Sequence, residues 1–275
     1  ILILGYASCL LLAIFGFLSV PLAKCELGAC RWYNLGPLGS IQPSEFLKLA
    51  LLLSLSVFLG AKAATGKINN FKETLLPAGL LIVFAMVIIA GFQKDLGTAV
   101  SALAIVAAQL VMAGLNKKNI MRLVAAFVAM MVLFIVIAPH RLARIATFGT
   151  EDCSQLSSEE SAGDYHICHA KIAIGSGGLF GVGIGNSVQA TGYLPEAIND
   201  SVFAIMGETF GFIGLIAILL LFLALLFRVL HAASHIENPA SRVFAAGAFG
   251  WLAVHVVMNV SAMIGLIPLT GITLP

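Results

Sequence analysis

One aspartate, Asp200, stands directly before a long apolar run, and two glutamates, Glu196 and Glu208, lie close to it in the sequence. An ionisable residue at the boundary between a membrane and water is costly, which makes it a functional candidate. A carboxylate at such a place can accept a proton from a reacting hydroxyl group or hold a divalent cation. Asp200 can also be the N-cap of the following helix or half of an ion pair. Its position alone leaves these interpretations open.

A second group of polar residues, Glu45 and Lys48, lies in a segment that begins with Pro43 and Ser44. Proline and serine favour the first turn of a helix, and a spacing of three places Glu45 and Lys48 on one helical face as a pair. In one interpretation Glu45 favours the helix dipole and Lys48 extends its amine to water. In the other, Lys48 is a buried cation that contacts an anionic lipid headgroup.

A third group, Lys94 and Asp95, occupies a tight turn between two apolar runs. Asp95 is placed to cap the following helix, and Gly97 permits close packing there. The simplest interpretation of the turn is therefore structural, and it leaves a functional role of the turn open.

The composition places these residues in a membrane protein. Of 275 residues, 60% are hydrophobic and 10% are charged, whereas a soluble domain carries about 25% charge. A helical span needs ~20 mostly apolar residues. We expect an all-α, polytopic membrane helix bundle that forms one transmembrane domain over 1–275. Its seven spans lie at about 1–21, 44–62, 75–92, 97–114, 119–138, 201–227 and 241–267.

The basic residues predict the orientation of the bundle. Lysines and arginines recur in three short connections, 61–74, 115–122 and 228–242, which seven spans place on one side. The positive-inside rule makes that side cytoplasmic. Segments 22–43 and 139–200 then lie outside, and 139–200 is a large extracytoplasmic loop. The net charge of +2 indicates no partner class, and we expect no nucleic-acid partner.

The outer segments contain paired cysteines. Cys25 and Cys30 share one segment, and Cys153 and Cys168 share the other. Disulfides form outside the cytoplasm, so each pair can make a local bridge. The tract 166–169 adds two histidines beside Cys168, but its spacing fixes no metal-ligand geometry.

The loop 139–200 ends in a glycine-rich tract at 172–185. The tract is too short to span a bilayer as a helix. A phosphate-binding loop would need a preceding strand and a following Lys-Ser or Lys-Thr, and neither is present. We therefore expect a re-entrant or interfacial segment buried against protein.

Several motifs occur in one order across nearly the whole chain and together resemble the SEDS family, the shape, elongation, division and sporulation proteins represented by FtsW, RodA and SpoVE. The motifs are Arg31-Trp32, QPSEFLKL at 42–49, QKDLGTA at 93–99, IGSGGLFGVGIGNS at 174–187, YLPE at 193–196, Asp200 with FAIMGE at 203–208, and GLIPLTGITLP at 265–275. The Gly-Asn-Ser at 185–187 is more similar to the FtsW branch. The family has about ten spans of this length, so the chain resembles a piece with seven of them.

The chain departs from the family pattern near two of these motifs. Lys94 stands where Pro is usual. Ile198-Asn199 replaces His-Thr before Asp200, and Ser201-Val202 replaces Phe-Ile after it. Asp200 itself is present.

The resemblance implies a peptidoglycan glycosyltransferase that polymerises lipid II on the outer face of the bacterial cytoplasmic membrane, with a class B penicillin-binding transpeptidase, in the divisome or the elongasome. Asp200 is the implied catalytic carboxylate, either as a base or as a ligand of Mg²⁺ or Mn²⁺, and no other cofactor is expected. The assignment of residues to donor or acceptor stays open. The candidate substrate-binding residues are Arg31, Trp32, Glu45, Lys48, Lys94, Asp95, Lys171, Asn186, Glu196 and Glu208.

Two other functions compete with polymerisation. A lipid II flippase would need a polar path at the middle of the membrane that opens to each side in turn. The candidate groups instead cluster toward the predicted outer face, and the inner halves of the spans are almost uncharged. A scaffold that only recruits an enzyme would need no outer carboxylate, so Asp200 disfavours that function.

Overall fold

The computed structural model describes residues 2–17, 22–26, 29–136 and 162–275, and this part of the chain is mainly helical. Each of the seven predicted spans coincides with a helix. An additional helix, α6, lies within the segment predicted as a loop. The helices are α1 (Leu2–Phe17), α2 (Pro43–Ala64), α3 (Phe71–Phe92, with π-helical first and last turns), α4 (Leu96–Met112), α5 (Lys117–Val136), α6 (Ala162–Ser176), α7 (Val202–His235) and α8 (Pro239–Met263).

Four of the described helices, α2, α3, α7 and α8, are long and apolar enough to cross a membrane. Helix α4 and the segment Leu2–Leu12 of α1 are apolar but shorter. The predicted membrane location is consistent with these lengths, because a crossing helix needs ~20 apolar residues.

A small antiparallel sheet lies between α1 and α2, where sequence patterns had indicated only a loop. Its strands are β1 (Ala23–Glu26), β2 (Ala29–Asn34) and β3 (Ser40–Ile41), paired in that order.

The cysteines agree in part with the predicted bridges. Cys30 lies opposite Cys25 in the strand register and is disulfide-bonded. Cys168 is disulfide-bonded as well, whereas Cys153 and the side chain of Cys25 lie outside the described residues. Cys9, within α1, is free and buried.

The chain divides into two compact units, residues 1–134 with 229–251 and residues 135–228 with 252–275. They are called here the first unit and the second unit, and each is described by itself. The prediction of a single transmembrane domain stays a prediction.

Helix packing in the first unit depends on leucines and on small residues. A stripe on α2 at a spacing of four, Leu47, Leu51, Leu55 and Leu59, is fully buried in the core. A Cβ atom at Gly60 would lie 2.5 Å from the Cα of Ala240, so the two helix ends touch through their backbones. Small residues permit such close approach between membrane helices.

Helix α7 in the second unit is broken at Gly211, whose φ of 68° and ψ of −172° are not helical. The glycine-rich loop inserts its backbone into the break. Phe212 N donates to Gly178 O at 2.9 Å and Ile213 N to Leu179 O at 3.2 Å. In return, Glu208 O accepts from Val182 N at 2.9 Å and Thr209 O from Gly183 N at 3.1 Å.

These four bonds replace the two that an unbroken helix would make from residues 212 and 213 to residues 208 and 209. The loop therefore satisfies the backbone groups of residues 208, 209, 212 and 213, and such pairing is required of irregular backbone inside a membrane protein. The predicted burial of 172–185 against protein holds for the loop backbone that pairs with α7. Most side chains of the tract are exposed, and its first residues belong to α6.

Glycine is necessary at the contact between the loop and the broken helix. A Cβ at Gly177 would lie 2.0 Å from Gly207 O, and one at Gly181 would lie 2.2 Å from Thr209 O. A Cβ at Gly211 would lie 2.3 Å from Gly181 N. Gly181 and Gly211 also have positive φ angles of 80° and 68°, which glycine adopts at no steric cost.

Candidate functional site

Asp200 lies two residues before α7 in the second unit and is only 7% exposed. Its Oδ1 atom is buried and has no hydrogen-bond partner within the described residues. The pKa of Asp200 is raised from 3.8 to about 6, mainly because the group is buried. Its own backbone N–H partly offsets this rise, and the negative charge of Glu196 adds to it. Buried polar atoms are normally hydrogen-bonded. An unpartnered carboxylate with a raised pKa is therefore typical of a reactive group.

The backbone around Asp200 is held on both sides. Asn259 Nδ2 of α8 donates to Asp200 O at 2.6 Å and to Ile272 O at 2.8 Å. The Ser201 hydroxyl donates to Pro195 O at 2.9 Å and contacts His166 Nε2 of α6. The main chain is thus fixed while the Asp200 side chain makes no bond through Oδ1.

Glu208 lies two turns into α7 and is 2% exposed. Its carboxylate accepts hydrogen bonds from the Ser187 hydroxyl, from Val188 N at 3.1 Å and from Gln189 N at 3.2 Å. Those donors begin the short 3₁₀ helix Gln189–Thr191. The sequence had predicted Glu208 as a substrate ligand, but these bonds are what an anchor for the loop would make.

The other predicted residues of the second unit lie at its surface. Lys171 is exposed on α6. Its side chain packs closely over Gly265, since a Cβ atom built on Gly265 would lie 2.2 Å from Lys171 Cε and 2.6 Å from Lys171 Nζ. Asn186 is exposed and donates to Val182 O at 3.0 Å. Glu196 has a positive φ of 49° and accepts a hydrogen bond from Asn199 Nδ2.

An apolar cavity of about 490 Å³ is lined by residues on either side of Asp200 in the sequence, among them Asn199 and Val202. Ile198 and Asn199 line one end of it, and Phe222 and Leu225 of α7 line the wall. A volume of ~300–1,000 Å³ is usual for the binding site of a small molecule. The cavity can therefore accept an apolar group against the segment that carries Asp200.

The first unit gathers another set of predicted residues around the turn after α3. Arg31 Nε of β2 donates to Gln93 O at 3.0 Å, and Arg31 Nη2 donates to Lys94 O at 2.9 Å. Lys94 is exposed and has a positive φ of 51°. Trp32, next to Arg31, is also exposed. Arg31 thus orders the turn that presents Lys94.

Asp95 follows in the same turn and caps α4. Its Oδ1 accepts from Thr98 N at 2.9 Å, and its Oδ2 accepts from the Thr98 hydroxyl at 2.8 Å and from Gln42 Nε2 at 2.9 Å. These hydrogen bonds are the ones expected of an N-cap residue, which is the structural interpretation of Asp95.

Glu45 and Lys48 form the predicted pair on α2, with Nζ and Oε1 2.8 Å apart. Lys48 is 1% exposed and Glu45 is partly exposed. The Lys48 amine also lies 5.0 Å from the ring centre of Trp251 in α8, a cation–π contact that sequence patterns did not predict. Lys48 is therefore buried rather than extended to water.

Within the described ranges, no three His, Cys, Asp or Glu side chains are grouped so as to hold a metal ion. Among the residues that the structure describes, Asp200 is the one with an unpartnered, buried carboxylate oxygen. Mg²⁺ is often bound by one or two carboxylates together with water and substrate phosphates. The donor set at Asp200 fits that kind of site and does not fit a cage made only of protein ligands.

Two contacts gave no signal in the sequence, one in each unit. In the second unit His166 contacts Ser201 although the two residues are distant in sequence, and in the first unit Trp251 reaches Lys48 from another helix. Asn259 was recognisable as a polar residue in an apolar span, for which bonding to another segment is usual. The sequence could not show that its partners are Asp200 O and Ile272 O.

Comparison with known proteins identifies the class to which this fold and site belong. The family model for the cell cycle proteins FtsW, RodA and SpoVE matches residues 1–275. The chain therefore belongs to this family.

Individual relatives agree with the family. Stage V sporulation protein E of Bacillus subtilis is 36% identical over 273 residues, which are 98% of this chain and 72% of that protein. The probable peptidoglycan glycosyltransferase FtsW of Escherichia coli O6:H1 is 34% identical over 251 residues, 90% of this chain and 58% of that protein. The chain thus spans little more than half of that FtsW.

Solved structures share the fold. One is a chain from a structure described as "structural coordination of polymerization and crosslinking by a peptidoglycan synthase complex". The two chains are 25% identical and superpose with a TM-score of 0.71, and the match covers 100% of this chain and 73% of the other. An aspartate-to-alanine variant of the rod shape determining protein RodA of Thermus thermophilus has a TM-score of 0.62 and 25% identity, with 100% and 71% covered. These similarities confirm the predicted membrane helix bundle.

Proposed function

We propose that this chain is the catalytic membrane core of a peptidoglycan glycosyltransferase that polymerises lipid II. The observation that carries the proposal is Asp200, a buried carboxylate with a free oxygen and a pKa raised to about 6, beside an apolar cavity. The relative named peptidoglycan glycosyltransferase supports the same reaction. No relative or structure given above carries a name that indicates a flippase.

Asp200 acts as the general base in this mechanism. The C4 hydroxyl of one sugar attacks the anomeric carbon of another, and a carbon–oxygen bond forms. The hydroxyl proton passes to the Asp200 carboxylate, and the bond from the anomeric carbon to undecaprenyl pyrophosphate breaks. A base with a pKa near the working pH is effective in such a transfer.

Mg²⁺ or Mn²⁺ is an optional second component of this site. Asp200 would hold it together with water and pyrophosphate oxygens, and the bound ion would neutralise charge on the leaving group. Asp200 therefore serves as a ligand or as a base, and both uses need it ionised.

The pyrophosphate needs positive charge close to Asp200. Lys171 and Arg228 are the two basic side chains of the second unit within its described residues, and Arg228 lies near the other end of α7. We therefore assign the pyrophosphate contact in this unit to Lys171. Arg31, Lys48 and Lys94 of the first unit are the further candidates. The apolar cavity beside Asn199 accepts part of the lipid chain.

The setting of the reaction follows from the substrate. Lipid II is polymerised on the outer face of the bacterial cytoplasmic membrane, so the Asp200 end of α7 faces outward. A class B penicillin-binding transpeptidase is the proposed partner, which agrees with the synthase complex whose fold this chain shares.

Polymerisation by the full-length protein in detergent tests the proposal. The protein is incubated with lipid II, alone and with its transpeptidase, and glycan strands are separated on a gel. Transpeptidase alone is the control. Detergent micelles have no two aqueous sides, so a flippase gives no product in this assay. Absence of glycan strands, together with lipid II transfer across vesicles by the same protein, would show that the flippase alternative is correct.

A further inference from the structure

Two buried polar side chains beside Asp200 have no part in the mechanism above. Ser201 directly follows Asp200 and is fully buried. His166 lies on α6 and is also buried. Their side chains contact each other through Ser201 Oγ and His166 Nε2, although the residues are far apart in sequence.

The direction of these hydrogen bonds follows from their partners. The Ser201 hydroxyl has one hydrogen, which it donates to Pro195 O at 2.9 Å. A carbonyl oxygen can only accept, so His166 Nε2 must donate to Ser201 Oγ. The histidine therefore carries its hydrogen on Nε2 in this arrangement. Burial lowers the pKa of His166 and so favours the neutral ring, whereas the negative charge of Glu196 acts in the opposite direction.

This relay ties α6 to the turn that contains Asp200. Pro195 and Ser201 are the two ends of the turn, and Glu196 O accepts from Ser201 N at 3.2 Å across it. One turn further along α6, His169 Nδ1 bonds Gln189 Oε1 at 2.8 Å. Helix α6 thus holds the loop at two places, while the Asp200 carboxylate receives no bond at Oδ1.

We propose that His166 and Ser201 are positioning residues that fix the Asp200 backbone so that its carboxylate stays buried and directed at the reacting hydroxyl group. The proposal rests on the proposed function. A carboxylate whose Oδ1 has no hydrogen-bond partner among the described residues depends for its direction mainly on the main chain that carries it. Ser201 is also a position at which this chain departs from the pattern of the family, so the relay is a property of this chain's own residues.

The titratable groups around Asp200 are few. Glu196 acts on it by charge, and His166 acts on it through Ser201. From α8, the contact is Asn259, which does not titrate. Loss of the relay would loosen the turn and admit water to Asp200, which lowers its raised pKa toward the ordinary value.

The test uses the full-length protein and four variants. Ser201→Ala and His166→Leu break the relay, and His166→Gln keeps a donor near the place of Nε2. Ser234→Ala, an exposed serine near the other end of α7, is the control. We expect the two breaking variants to lower kcat by about 10- to 100-fold with little change in KM, since small misplacement of a catalytic group costs about that much. His166→Gln and Ser234→Ala stay near wild type.

Two further readouts separate positioning from folding. Thermal unfolding is measured for each variant, and the double variant Ser201→Ala with His166→Leu is expected to lose no more activity than either alone. Labelling of Asp200 by a hydrophobic carbodiimide, which reacts with protonated carboxyl groups, is followed against pH by mass spectrometry. Its midpoint is expected near pH 6 in wild type and at lower pH in the breaking variants.

The outcomes are distinguishable. Unchanged kcat and an unchanged labelling midpoint in both Ser201→Ala and His166→Leu would refute the proposal. Activity lost only in proportion to unfolded protein would refute it as well. If the wild type makes no glycan, the proposed function fails, and the labelling midpoint still decides whether His166 and Ser201 hold Asp200.

Discussion

Two aspartates of this protein stand at the start of apolar helices, and their surroundings differ. Asp95 in the first unit is 8% exposed, and both its carboxylate oxygens accept hydrogen bonds, from Thr98 and Gln42. Asp200 in the second unit is 7% exposed, and its Oδ1 has no partner among the described residues. The two aspartates are therefore buried to a similar extent. Both carboxylate oxygens of Asp95 have hydrogen-bond partners, whereas Oδ1 of Asp200 has none among the described residues.

The difference begins with the residue three positions later. Thr98 offers Asp95 a backbone N–H and a hydroxyl, which is the geometry of an N-cap. The corresponding residue after Asp200 is Phe203, whose side chain has no donor. Burial without such donors disfavours the charged form and raises the pKa. The comparison teaches that helix position alone does not separate a cap from a reactive carboxylate.

The largest expected effect is on the activity of Asp200→Asn. The amide keeps shape and can still cap a helix, but it cannot accept a proton or hold a cation. Loss of a general base costs about 10²–10⁴-fold in rate. Lipid II polymerisation by the purified variant is the measurement, and Glu237→Gln, an exposed acid beyond the other end of α7, is the matched control. Activity of Asp200→Asn within about twofold of wild type would mean that Asp200 is only a cap.

The next effect is the pH dependence of Asp200. The reaction needs its ionised form, so the rate should rise with pH through about 6 and fall roughly tenfold per unit below that pH. The free energy of unfolding changes with pH in the opposite direction to the rate. Burial raises the folded pKa, so the stabilisation is complete below the ordinary pKa of 3.8 and is lost as pH rises through about 6.

Measured unfolding should therefore show that Asp200→Asn is more stable than wild type above pH 6 and similar to it near pH 4. Two results would contradict the raised pKa: a rate that does not change with pH near 6, or equal stability of the two proteins at pH 8.

A third prediction concerns Glu208, the satisfied carboxylate of the second unit. Glu208→Ala leaves Val188 N and Gln189 N without their acceptor, at a cost of about 1–3 kcal/mol for a buried group. We expect lower stability and faster proteolysis within 184–200, measured by limited digestion and mass spectrometry. Thr209→Ala, which removes only a hydroxyl bonded to Ile205 O within the same helix, is the control. An unchanged cleavage pattern would argue against an anchoring role.

The smallest effect is expected at Asp95. Asp95→Ala removes the cap of α4 and the bond from Gln42, and loss of a cap costs about 0.5–2 kcal/mol. Unfolding in detergent measures the change, with the exposed Glu237→Ala as the reference. If Asp95→Ala lowered activity strongly without lowering stability, Asp95 would contact substrate, as the resemblance to the family implies.

The sequence by itself determined the seven apolar helices, although not α6, and where the main candidates lie. Apolar runs of ~20 residues predict spans because the bilayer has a fixed thickness, and all seven runs are helices. The pair Glu45 and Lys48 was predictable because three residues along a helix always bring side chains to one face. Such features depend on local geometry, which each segment carries in its own residues.

Tertiary structure decided what those residues do. The sequence did not show that α7 breaks at Gly211 and that the loop 178–183 completes its hydrogen bonds. It also did not show that Gln42 reaches Asp95 while Oδ1 of Asp200 is left without a donor. Hydrogen bonds between distant segments depend on how the helices pack. Each polar group could meet many different partners in the folded chain, and a local sequence pattern does not show which one it meets. The separation of a capped aspartate from a reactive one is therefore a property of the folded chain.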